Sequence, residues 1–63
     1  MTLFPTAIVE RYHVRFRGFA DIEVLSIGDI EAVAQARHKL MTERGVSNAA
    51  TLQSGYVTYV EAA

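Results

Sequence analysis

Residues 12–27 read YHVRFRGFADIEVLSI, and the fold follows from how this stretch is paired. Tyr12, Val14 and Phe16 alternate with His13, Arg15 and Arg17, the period-2 pattern of a strand with one buried face. Beyond Gly18, Ile22 and Val24 alternate with Asp21 and Glu23 in the same way. The stretch therefore predicts a β-hairpin whose second strand runs into a helix. Pairing Arg17 with Asp21 leaves Gly18, Phe19 and Ala20 as the loop. It sets Phe16 against Ile22, Val14 against Val24 and Arg15 against Glu23. Opposed apolar or opposite-charge pairs contribute about 0.2–1 kcal/mol each. A one-residue slip would exchange the two faces and set Phe16 against Asp21. Gly18 is the residue expected at positive φ.

Outward from the hairpin, strand one is expected over residues 8–17 and strand two over 21–25. Glu10 interrupts the apolar face of strand one and predicts an overhang or a bulge there. Phe4, beside Pro5, is a candidate lid on the core. A helix is predicted over residues 30–44, with Asp29 as its cap in preference to Ser26, because Gly28 suits a first turn poorly. Ile30, Val33, Ala34, Leu40 and Met41 supply its apolar stripe, with the Arg37 stem completing the line and its head reaching the rim. Gly45 ends the helix, and Val46 makes the apolar contact beyond it. Residues 47–50 read as a loop. Residues 56–60, YVTYV, are rich in β-formers and predict strand three. Leu52 is a candidate backward extension of it across a break at Gly55. Either Val57 and Tyr59 or Tyr56 and Val60 face inward, and residues 61–63 are expected to fray.

The resulting order is ββαβ. A right-handed crossover places strand three beside strand one, giving an α+β fold with a three-stranded antiparallel sheet in the order 2-1-3 and one helix on one face. The opposite face is then wet and carries Arg15, Arg17 and Glu23, with His13 and Leu25 of the same parity. All 63 residues make a single small domain with no cysteine, so neither a disulfide nor a thiolate metal site supports it.

Six basic and seven acidic residues leave a net charge of −1, which removes any bulk electrostatic case for nucleic acid or an anionic membrane. No apolar run approaches the roughly 20 residues of a membrane span. The N-terminus lacks the pattern of a signal peptide, and a soluble cytoplasmic protein is expected. His13 lies on a strand and His38 on the polar helix face, so no nucleophile, base and orienting group converge. The four glycines stand singly rather than in a phosphate loop, and the carboxylates are dispersed. An enzyme, a cofactor and a metal are therefore not expected.

Two binding surfaces are. The edge of strand two, with Asp21 and Glu23, suits a basic protein partner, and Phe19 in the turn is a candidate anchor. Alternatively, Arg11, Arg15 and Arg17, with His13 among them, line up about 7 Å apart near Tyr56 or Tyr59, the combination that binds single-stranded nucleic acid. Asp21 and Glu23 stand where they would neutralise Arg17 and Arg15.

The segments at 12–17, 22–25 and 56–60, with the helix opening EAVAQA at 31–36, resemble the small ββαβ proteins carried by phages and mobile elements. In size and layout the chain is similar to the compact anti-CRISPR proteins. The likeness rests on layout and length with no shared motif, so no functional residue is carried over from it. It implies a non-enzymatic viral inhibitor that acts in the host bacterial cytoplasm by stoichiometric contact with a CRISPR interference complex, as a monomer or weak homodimer. Many such inhibitors are acidic DNA mimics. The charge of −1 departs from that pattern and leaves local acidity at Asp21, Glu23, Asp29 and Glu31. A homodimeric accessory subunit is the third expectation.

Overall fold

The computed structural model describes residues 8–62, so the expectations for Phe4 and the remaining N-terminal residues lie outside it. The chain forms β1 (Glu10–Arg15), β2 (Ile22–Ser26), α1 (Asp29–Glu43), a short α2 (Ala49–Gln53) and β3 (Tyr56–Ala62). The three strands make an antiparallel sheet in the order β2-β1-β3, as the hairpin and the crossover rule predict. α1 packs on one face of it.

The hairpin register differs from the expected one by two residues. Val14 pairs with Ile22, Tyr12 with Val24 and His13 with Glu23. A two-residue slip keeps every side chain on its predicted face, so alternation alone could not exclude it. The local turn decides the matter. Phe19 N–H donates to Phe16 O at 3.1 Å, and Gly18 has φ 84°. This is a tight turn with a positive-φ glycine at its third position, built on residues 16–19. Phe16 thus leaves the ladder and turns into the core, where it is fully buried.

The core comprises Tyr12, Val14, Phe16 and Val24 from the hairpin, Ala32, Ala36 and Leu40 from α1, and Leu52 from α2. The helix is therefore phased differently from the expected stripe, of which Leu40 is buried and Val33 half-buried against the core. Ala32, Ala36 and Leu40, at i, i+4 and i+8, face the sheet, while Ile30 is 87% exposed and Ala34 and Met41 lie outside. The physical reason is close approach. Tyr12, Val14 and Phe16 occupy the helix side of the sheet, and the small side chains of Ala32 and Ala36 let the helix pack close to it. Capping also differs: Asp29 is the first helical residue rather than the cap. Gly28 holds the cap position without a side-chain bond, and buried Ser26 braces it by donating Oγ–H to Gly28 O at 3.1 Å. At the other end Gly45 has φ 66° and Val46 N–H reaches Leu40 O at 3.1 Å, the predicted glycine stop.

Residues 49–53 are helical rather than loop or strand. Asn48 Oδ1 accepts from Thr51 N–H at 3.0 Å, an N-cap at the head of an alanine pair. Arg37 Nε–H donates to Leu52 O at 3.0 Å, so its head is held by the end of α2 rather than released to the rim. β3 runs on through Glu61 and Ala62, which pair with Arg11 and Glu10 instead of fraying. A bulge opposite the step from His13 to Val14 makes Thr58 the extra residue. The irregularity expected near Glu10 or at Gly55 is therefore at Thr58, and it settles the parity of β3. Val57 pairs with Val14 and Val60 with Tyr12 on the helix side, while Tyr56 pairs with Arg15 and Tyr59 with His13 on the other.

Candidate interaction surface

Among the described residues no helix covers the sheet face opposite α1, and its side chains fall into three rows across the strands. Leu25, Arg11 and Glu61 form the first, Glu23, His13 and Tyr59 the second, and Asp21, Arg15 and Tyr56 the third. Leu25 is 56%, Tyr56 53% and Tyr59 58% exposed. Three large side chains thus stand in water around a charged centre.

That centre is internally matched. Arg11 lies 3.6 Å from Glu23 and 3.4 Å from Glu61, and His13 Nε2 lies 3.0 Å from Glu61 Oε1. A carboxylate only accepts, so this contact puts a proton on Nε2 of His13, and Nδ1 faces Glu23 at 4.0 Å. The His13 and Tyr59 rings pack with centroids 5.3 Å apart, which leaves the His13 side chain only 17% exposed. Arg15 Nε–H donates to Asp21 at 2.7 Å, and the Thr58 hydroxyl, presented by the bulge, lies 3.2 Å from the same carboxylate. The hydrogen bond from His13, with help from Arg11, holds the Glu61 carboxyl below its ordinary range. Arg15 does the same for Asp21, with Thr58 adding to it.

These shifts fix a pH dependence. A carboxylate whose folded pKa is depressed contributes stability that is present above its unfolded value and lost as pH falls through the folded one. The domain is expected to lose stability as pH drops below about 4. Glu61→Gln is expected to lower stability at neutral pH and to flatten this acid limb. Urea midpoints measured between neutral and acid pH check it, and an acid limb of unchanged steepness in the variant would contradict the assignment.

The sequence-derived candidates divide between surfaces. Asp21 and Glu23 lie on this face, tied to Arg15 and Arg11 rather than to Arg17 and Arg15. Phe19 is half-buried against the core instead of standing free. Asp29 and Glu31 occupy the first turn of α1, in the other layer, where they complement the helix dipole. The four acids do not form one surface. Of the three arginines, Arg11 and Arg15 share this face, while Arg17 sits in the turn with its backbone N–H on Ser54 Oγ at 3.0 Å and has no ion pair among the described residues. Sequence reading assigned the two tyrosines to opposite faces, because a strict period of two cannot anticipate a bulge. Glu61, the hub of the network, was placed in a frayed end; its signal was an acid at the end of a strand antiparallel to Arg11 and His13.

His38 lies on the exposed helix surface and takes no part in this face. Among the described residues no group of three or more His, Asp or Glu side chains is arranged to hold a metal ion, and no helix is long and apolar enough to cross a membrane. No protein-family model, curated protein or solved structure matches the chain.

Proposed function

We propose that the protein is a non-enzymatic binding module whose uncovered sheet face docks stoichiometrically on another protein. The observation that carries the reading is the pairing of exposed Leu25, Tyr56 and Tyr59 with a charge network closed within itself. Tyrosines held on a rigid sheet contribute large contact area at low entropic cost, the chemistry of interface anchors. Arginines already matched by carboxylates hold little attraction for phosphate. The layout likeness to compact anti-CRISPR proteins makes a bacterial CRISPR interference complex the first partner to test, with the protein acting as its inhibitor.

A nucleic-acid reading draws on a different observation: Tyr56 and Tyr59 stand beside Arg15 and His13, and Arg17 is exposed nearby. Capture of interference-complex subunits on the tagged protein, with and without nuclease, separates the two. Protein binding survives nuclease. In that case Tyr56→Ala with Tyr59→Ala is expected to weaken it by about tenfold or more, while Arg15→Glu with Arg17→Glu leaves it within a few-fold. Capture that vanishes with nuclease, or that only the arginine pair abolishes, would overturn the protein-docking reading.

A further inference from the structure

We propose that the flank of α1 is the face through which two copies of this chain pair, antiparallel about a two-fold axis near Val33. This goes beyond the docking face above and uses the other side of the sheet, so the two surfaces do not compete.

The helix meets the sheet through Ala32, Ala36 and Leu40, which leaves Ile30 and Ala34 outside the contact and Val33 at its margin. Ile30, Val33 and Ala34 line an open cleft of about 410 Å³ with Val57 of β3, and Val60 lies further along the same side of that strand. Ile30 is 87% exposed, the most exposed large apolar side chain among the described residues. The two charged residues of the cleft stand at its ends. Asp29 lies four residues before Val33 and Arg37 four residues after it, on one i, i+4, i+8 line. At 1.5 Å per residue each is about 6 Å from Val33 along the axis.

This placement is what names the occupant. A surface with an acid at one end, a base at the other and apolar residues between is complementary to itself when turned end for end. Pairing α1 antiparallel to the partner's helix about Val33 sets Asp29 against Arg37 twice over, with Ile30, Val33 and Ala34 between them, as an isologous interface requires. Arg37 can serve both contacts: its Nε–H is spent on Leu52 O, and its two terminal NH₂ groups make no hydrogen bond among the described residues. A parallel pairing would oppose Asp29 to Asp29 and Arg37 to Arg37. The charges therefore select orientation as well as partner.

The test is the mass of the full chain in solution across a dilution series, by light scattering or sedimentation. The mass is expected to rise from 7.0 kDa towards twice that value as concentration increases to the millimolar range. Asp29→Arg places like charges at both ends of the interface and is expected to weaken self-association by about tenfold. Arg37→Asp does the same. Mixing the two variants restores pairing, because each end then joins an acid to a base. Should loss of the Leu52 bond unfold Arg37→Asp, Ile30→Glu decides instead: its side chain touches solvent, so the variant folds and must be monomeric. A monomer mass for the native chain at every concentration overturns the proposal. So does a dimer that survives Ile30→Glu and Asp29→Arg, since it would use another face.

Discussion

Gly55→Ala is expected to destabilise the fold by about 3 kcal/mol, the upper end of what an extra methyl costs in a full core. The Phe16 ring occupies the space a Cβ at residue 55 would take, with the position lying 2.6 Å from Phe16 Cζ. Phe16 is fully buried in one cluster with Val14, Leu40 and Leu52, and the space beside it is the cleft it lines with Arg17, Phe19 and Ser54, so admitting the methyl drives the ring out of its core packing. Gly55 does not have positive φ, so its requirement is spatial: the strand passes directly against an aromatic ring. A domain of 63 residues has about 3–9 kcal/mol of total stability, so this one methyl removes a third of it or more. For a chain of this size the melting temperature should fall by about 15 °C. Phe16→Leu, which shortens the ring, should cost less in the Gly55→Ala background than in the native one, a coupling that a double-mutant cycle measures. An unchanged melting temperature for Gly55→Ala would mean that Phe16 packs elsewhere.

The same contact explains why the hairpin could be read only in part. Alternation from Tyr12 to Phe16 and from Ile22 to Val24 carries face, strand direction and order, because period-2 burial is a local property. It does not carry register modulo two. Whether Phe16 stays in the ladder depends on Gly55, some forty residues on, and on Ser54, whose Oγ holds the Arg17 backbone. Those are long-range facts with no local signature. β3 follows the same logic: β-propensity located the strand, but the bulge at Thr58, which turns both tyrosines to water, answers to Asp21 and the His13 carbonyl. The sheet face opposite α1 was legible as a row of arginines. Asp21 and Glu23 were placed beside them but matched to Arg17 and Arg15, and Glu61 was missed, because ion pairing across strands depends on register. α2 is the exception in that a local signal was present, since Asn48 before Ala49 and Ala50 is a cap followed by two strong helix formers.

Ala36→Leu is expected to produce the second large effect, a loss of about 3 kcal/mol seen as a lower urea midpoint with the slope retained. Ile30, Val33, Ala34, Leu40 and Met41 make a convincing helical stripe, yet of these only Leu40 is fully buried, and the line that meets the sheet is Ala32, Ala36 and Leu40 with Val33 at its margin. Hydrophobic periodicity weights a residue by its apolar area and so undervalues alanine. Packing weights it by the distance it permits, and two alanines one turn apart let the backbone of α1 settle onto Tyr12 and Phe16. Three added carbons at Ala36, which is fully buried, lift the helix from the sheet along that line. Gln35→Leu, one residue earlier and exposed, adds a larger apolar side chain without touching the interface and should shift the midpoint by no more than about 0.5 kcal/mol. The contrast between neighbours is the measurement that matters, because exchanging alanine or glutamine for leucine changes helix propensity by no more than about 0.5 kcal/mol, far less than the packing loss expected at Ala36. If the two variants were equally stable, α1 would have to be rotated towards the larger stripe, Ile30 and Val33 would turn inward, and the surface proposed for self-pairing would vanish with them.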